Sequence, residues 1–133
     1  MRKIDEYYLY CGLLWLVFGM TFGIWMGITE QFNFSNSHAH ANLVGFVISM
    51  LFGFLHRSFP AMAASRLAAP QFIVYQAGAV LLVLGKMTVD AGGEPTLVKI
   101  GSIVVLLGAV GMLCLYAISR KSPEGAVAVS GAR

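Results

Sequence analysis

Two histidines spaced two apart, in Ser37-His38-Ala39-His40-Ala41-Asn42-Leu43, are the residues of this chain best suited to chemistry. They open an apolar run that ends at Phe59-Pro60. Neutral imidazole binds haem iron axially and also suits copper and zinc. An ionisable ring in a membrane-spanning segment is costly, which marks it as functional by default. For each ring a hydrogen-bonded core histidine is the competing structural reading. The His-x-His pairing at a span entrance favours His40 as a ligand, with His38 second. Residues two apart on a helix are turned by about 200°, so a regular helix cannot aim both rings at one ligand. One ring ligates while the other packs, hydrogen-bonds or meets a second partner. His56 lies sixteen positions beyond His40, about 24 Å of helix rise, too far to share a metal. It reads as an interfacial residue beside Arg57.

The elements that must hold these rings belong to a membrane. The chain has 133 residues, 58% hydrophobic and 11% charged. A soluble domain carries about 25% charged residues. A bilayer crossing needs about 20 apolar residues. Four runs qualify: Tyr7–Ile28, His38–Phe59, Phe72–Val89 and Leu97–Ile118, of which the third is the shortest and contains Lys86. The pattern predicts an all-α integral membrane four-helix bundle over residues 1–121 and a disordered C-terminal tail over 122–133. The first run is too long for a signal-peptide core and lacks a small-x-small cleavage site, so it is expected to be retained.

Basic residues set the expected orientation. Arg2 and Lys3 precede the first span, Arg57 and Arg66 lie between the second and third, and Arg120, Lys121 and Arg133 follow the fourth. The other connections carry Glu30 and the Asp90/Glu94 pair. Both termini are therefore expected in the cytoplasm and the His38/His40 end outside, in the multi-pass manner of a bacterial inner-membrane protein. The net charge of +3 reads as membrane topology, and no basic cluster with interleaved aromatics points to nucleic acid. Cys11 and Cys114 fall near cytoplasmic span ends, where no disulfide is expected.

Along the chain, Tyr7, Tyr8 and Tyr10 sit where an interfacial aromatic belt belongs. Gly19, Gly23 and Gly27 share one helix face, spaced for close packing of another helix. Ser35 or Ser37 can cap the second helix. Asn33-Phe34-Ser35 matches a glycosylation sequon that matters only in a eukaryotic source. Pro60 stops the second helix after Phe59, Ala61–Ala69 is a short connector, and Pro70 opens the third span. Lys86 and Asp90 are four apart and can pair. Gly92-Gly93-Glu94-Pro95 is a turn, and Gly101, Gly108 and Gly111 again suit close packing. No nucleophile–base pair and no phosphate-cradling glycine loop can be read.

The run His38-Ala39-His40-Ala41-Asn42-Leu43-Val44-Gly45, followed by an apolar stretch and Pro60, resembles the second transmembrane helix of the haem-copper oxidase superfamily. The likeness is nearest to the large subunits of C-type oxidases and nitric-oxide reductases and covers about a fifth of the chain. The matching piece is His40-Ala41-Asn42-Leu43. The resemblance implies that His40 is an axial ligand of a low-spin haem b, with Asn42 in the same motif, on a helix running from outside to inside. The chain departs from the family in having only three histidines, His38, His40 and His56. That is too few for a binuclear oxygen-reducing centre, so an oxidase by itself is not expected.

One haem b is what the resemblance leaves. A low-spin iron wants two strong ligands. Two protomers about a two-fold axis, each giving His40, supply them. A partner's His38, Met87, or a vacant position open to a gas such as nitric oxide are alternatives. Lys86 and Lys99, level with the two histidines, either pair with propionates or snorkel to the interface. The expectation is a membrane haem b protein for electron transfer, with a redox partner protein, or for diatomic gas binding. The alternatives are a copper or other metal carrier through His38 and His40, with Met20 or Met87 as soft ligands if the helix began one turn later, and a non-catalytic assembly subunit.

Overall fold

The computed structural model describes residues 3–121 and residue 131. The tail expected over 122–133 lies, but for residue 131, outside the described residues. Four long helices form: α1 (Ile4–Thr29), α2 (Phe32–Ser58), α4 (Ala68–Asp90) and α5 (Thr96–Lys121). A short helix, α3 (Pro60–Ala64), lies in the connector. No strand occurs among the described residues. All four long helices are long and apolar enough to span a membrane, which fits a multi-pass integral membrane protein. The third crossing is more secure than its apolar run implied. It gains a turn at its start, and Pro70 sits in that first turn, where its missing N–H costs nothing.

The chain end of α1, the start of α4 and the end of α5 lie together at one end of the molecule, the termini end. The α1–α2 and α4–α5 turns form the other, the histidine end. α1 packs along α2, and α4 packs along α5; α2 joins the two pairs through α4. Glycines decide both close approaches. A Cβ on Gly108 would lie 2.6 Å from the Tyr75 Cα, so the α4 and α5 backbones touch there. The Gly92 backbone has φ +85°, which a glycine adopts without strain, and turns the chain from α4 toward α5.

α2 is not a uniform helix. It opens with a 3₁₀ turn at Phe32–Phe34, continues as α-helix over Ser35–His40, widens to π-helix over Ala41–Val47 and returns to α over Ile48–Ser58. The sequence shows why. Ser37, Ala41, Gly45, Ser49 and Gly53 recur every four residues and all are buried. An α-helix turns 3.6 residues per turn, so a strict four-residue stripe would drift around it by about 40° per step. The wider π segment cancels that drift and keeps the small residues on the inner face. In it Ile48 N–H bonds to Leu43 O, passing over Val44 O, which accepts the Tyr75 hydroxyl of α4 at 2.8 Å.

The core sits at the termini end. Tyr8, Met62, Tyr75, Met112 and Leu115 are buried there among Phe52, Phe59, Phe72 and Tyr116. Three expectations change. Tyr8 is not part of an interfacial belt: it is fully buried and donates to Gln71 Oε1 at 2.7 Å. Pro60 ends α2 after Ser58 and also starts α3, so the connector is not merely a loop; it folds Met62 into the core. His56 is not interfacial. It is 1% exposed, stacked on Tyr8 at 5.7 Å, with no hydrogen-bond partner for either ring nitrogen among the described residues.

Candidate functional site

The start of α2 is built by α4. Neither Ser35 nor Ser37 acts as the expected N-cap; the helix begins at Ser35 without a side-chain cap. Ser35 Oγ donates backwards to Phe32 O at 2.6 Å. One orphan donor of the first turn, the Ser37 N–H, is met instead by Asp90, the last residue of α4. Its Oδ2 accepts from Ser37 N–H at 3.0 Å and from Ser37 Oγ at 2.6 Å. Asn33 Nδ2 donates to the Asp90 backbone carbonyl at 3.0 Å. A carboxylate at a helix N-terminus also meets the positive end of the helix dipole.

Lys86 Nζ lies 3.5 Å from Asp90 Oδ1, and the two side chains are only 15% and 9% exposed. The pairing expected from their four-residue spacing therefore forms. Removing one partner of so shielded a pair is far more disruptive than at an open surface pair. Lys99 lies at the same end, exposed on the first turn of α5.

Because the α-helical part of α2 begins at Ser35, His38 and His40 are its fourth and sixth residues and project to opposite sides. His38 faces α1. Its ring meets Phe22 edge-on at 6.2 Å, and a Cβ on Gly23 would lie 2.8 Å from its Cε1. Asn42 follows one turn later on the same side and fills the space left by Gly19. Asn42 Nδ2 lies 3.4 Å from both ring nitrogens of His38 and 2.9 Å from the His38 carbonyl. The carbonyl is its true acceptor, since equal and long distances to two ring atoms describe an amide resting beside the ring.

His40 is half-buried on the other side. Its Nδ1 lies 2.8 Å from Asn36 O. A carbonyl oxygen only accepts, so Nδ1 carries a proton, and in the neutral ring Nε2 is then the nitrogen with the lone pair. Nε2 makes no hydrogen bond among the described residues. A metal-ligating histidine characteristically has this arrangement, one nitrogen fixed by a carbonyl and the other left to coordinate.

The five residues singled out from the sequence thus separate. Asn42 and His38 fit α1; His40 and Lys86 are fixed by groups at the α2–α4 junction; Lys99 stands apart. The two-histidine metal site depended on a later helix start, and α2 starts earlier instead. No group of three or more metal-binding His, Cys, Asp or Glu side chains occurs among the described residues. Met20 is 59% exposed on α1, while Met87 is half-buried beside Lys86.

A polar line crosses the middle of the molecule. Trp15 Nε1 donates to Gln76 Oε1 at 3.2 Å, and Gln76 Nε2 donates to Ser49 Oγ at 2.8 Å. Gln71 Nε2 donates to Gly108 O at 2.8 Å while its Oε1 takes the Tyr8 proton. Gln71, Tyr75 and Gln76 interrupt the apolar run of α4, and each finds its partners on other helices. An apolar groove of about 400 Å³ lies between α1 and α4, lined by Trp15, Phe18, Gln76 and Val80 among others, and neither His38 nor His40 lines it.

Compared with protein-family models, curated proteins and solved structures, the chain matches none.

Proposed function

We propose that this chain is a membrane haem b-binding protein that uses His40 Nε2 as an axial ligand, in electron transfer or in binding a diatomic gas. The observation that carries the reading is the His40 ring itself: Nδ1 is held by Asn36 O at 2.8 Å, which turns Nε2 into the nitrogen that a neutral ring offers to a metal. The second support is the resemblance of His40-Ala41-Asn42-Leu43 to the haem-ligand motif of the oxidase superfamily. Haem b supplies one-electron chemistry or a coordination position for a gas. In this reading His40 would hold the iron and Lys99 would pair with a propionate, while Lys86 is committed first to Asp90.

Within one chain no second histidine is placed to complete a six-coordinate iron. His38 packs on Phe22 and Gly23, and His56 is sealed in the far core. The reading therefore includes a homodimer in which each protomer gives His40. Arg57, Arg66, Arg120 and Lys121 all lie toward the termini end. By the bias of basic residues toward the cytoplasm, that end faces inward and the haem lies near the outer face of a bacterial inner membrane, within reach of a redox partner.

The test is the optical spectrum of the full chain extracted from membranes. A Soret band with sharp reduced α and β bands is expected. His40→Ala should abolish it, while His38→Ala and His56→Ala should retain it. A spectrum that survives His40→Ala and is lost in His38→Ala would reverse the assignment. A colourless protein carrying stoichiometric copper would replace haem with a metal carrier.

A further inference from the structure

The two hydrogen bonds at the start of α2 converge on one peptide unit. Ser37 N–H, which donates to Asp90 Oδ2 at 3.0 Å, and Asn36 C=O, which accepts from His40 Nδ1 at 2.8 Å, belong to the same planar amide. We infer that Asp90 acts on His40 through this amide, as a carboxylate–peptide–imidazole relay that sets how strongly the imidazole donates at Nε2.

The physics is amide resonance. A carboxylate that accepts from the N–H end draws positive charge there and shifts electron density onto the carbonyl oxygen. The oxygen then becomes a better acceptor for the His40 Nδ1 proton, and the ring gains anionic character. Hydrogen bonds in series reinforce one another in this way. Direct carboxylate–histidine pairs raise ligand basicity at metal sites; here one peptide is inserted between the two.

Two neighbours adjust the relay. Lys86 draws on the other oxygen of Asp90 at 3.5 Å and moderates its charge. The Ser37 hydroxyl, at 2.6 Å, competes with the Ser37 N–H for Oδ2. Asp90 is thus a positioning residue: it touches neither the open nitrogen of His40 nor anything bound there. The functional consequence, a lowered reduction potential of a bound haem, rests on the haem reading above; the relay itself does not.

The test separates the two. The full chain, labelled with ¹⁵N-histidine and haem-free in detergent micelles, gives signals from only three histidines, and His40→Ala identifies the one of interest. Asp90→Asn keeps an acceptor oxygen but removes the charge, so the His40 Nδ1–H proton should shift upfield. Ser37→Ala removes the competing hydroxyl and leaves Oδ2 to the N–H, so the same proton should shift downfield. In the haem-loaded protein the midpoint potential should rise in the first variant and fall in the second.

Loss of mere structural support would move both variants in one direction, and shifts of the same sign, or none, overturn the relay. If Asp90→Asn does not accumulate, Ser37→Ala decides alone: a downfield shift supports the relay and anything else overturns it. A wild-type chain without a Soret band sinks the haem reading, while the proton shifts still decide the relay.

Discussion

The two helix pairs of this protein use glycine for opposite ends. Between α4 and α5, Gly78, Gly85, Gly101 and Gly108 each face backbone of the opposite helix, so the two chains lie in contact along their length. Between α1 and α2 the glycines of one helix face side chains of the other: Gly12 takes Met50, Gly19 takes Asn42, Gly23 takes His38, and Gly45 takes Trp15. The first pair is a rigid strut. The second is a row of sockets that fixes where polar and aromatic side chains sit. Apolar burial cannot drive helices together in lipid, so close contact and hydrogen bonds must do it, and these are two ways of achieving that.

The largest effect that tests this contrast is at the strut. A methyl on Gly108 would meet the Tyr75 Cα at 2.6 Å, and Cα cannot move without shifting α4. Gly108→Ala should destabilise the fold by about 3 kcal/mol, at the upper end for overpacking, and should cost the Gln71 bond to the Gly108 carbonyl as well. Thermal aggregation of the detergent-solubilised protein measures it. A loss under about 1 kcal/mol would mean that the α4–α5 backbones part easily and the contrast is wrong.

The socket row should yield less. A methyl on Gly23 would meet only the Cε1 edge of the His38 ring, at 2.8 Å, and a ring can tilt away. Gly23→Ala should cost about 1 kcal/mol in the same assay. Because His38 and His40 project to opposite sides, the substitution should leave a His40-based haem spectrum unchanged. A spectral change in Gly23→Ala as large as that of His40→Ala would show that the His38 side of the helix holds the cofactor.

Much of this arrangement was legible in the sequence, and what was not has a common cause. The four crossings follow from apolar runs. The divergence of His38 and His40 follows from a 100° step per residue. The α1 glycine stripe was visible as a face for another helix, although Gly27 meets nothing within 4 Å. The start of α2 was misjudged because its cap comes from Asp90, 53 positions away, and local patterns see only local caps. The π segment left a trace, small residues every four positions from Ser37 to Gly53, that departs from α-helical drift and could have been used. The burial of His56 had no local trace. It depends on Tyr8 of α1, 48 positions away, stacking on the ring; the start of α3 was equally hidden, because a proline read only as a helix stop also starts the next helix.

His56 offers the smallest effect, with the opposite sign. It lies on the same face of α2 as Gly45, Ser49 and Gly53, yet no socket receives its polar atoms: its ring stacks on Tyr8 with an interplanar angle of 19°, and both nitrogens are buried without partners among the described residues. A buried polar group without a hydrogen bond costs about 1–3 kcal/mol, whereas an apolar group of similar shape at the same place costs nothing of that kind. Leucine loses the ring stack but removes both unpaired atoms. His56→Leu should therefore be neutral or stabilising by about 1 kcal/mol, in contrast to every glycine change above. If it instead destabilises the protein as much as Gly23→Ala does, the His56 nitrogens hold something in the membrane-bound molecule, and the α1–α2 interface positions a third polar group at the termini end as it positions His38 and Asn42 at the other.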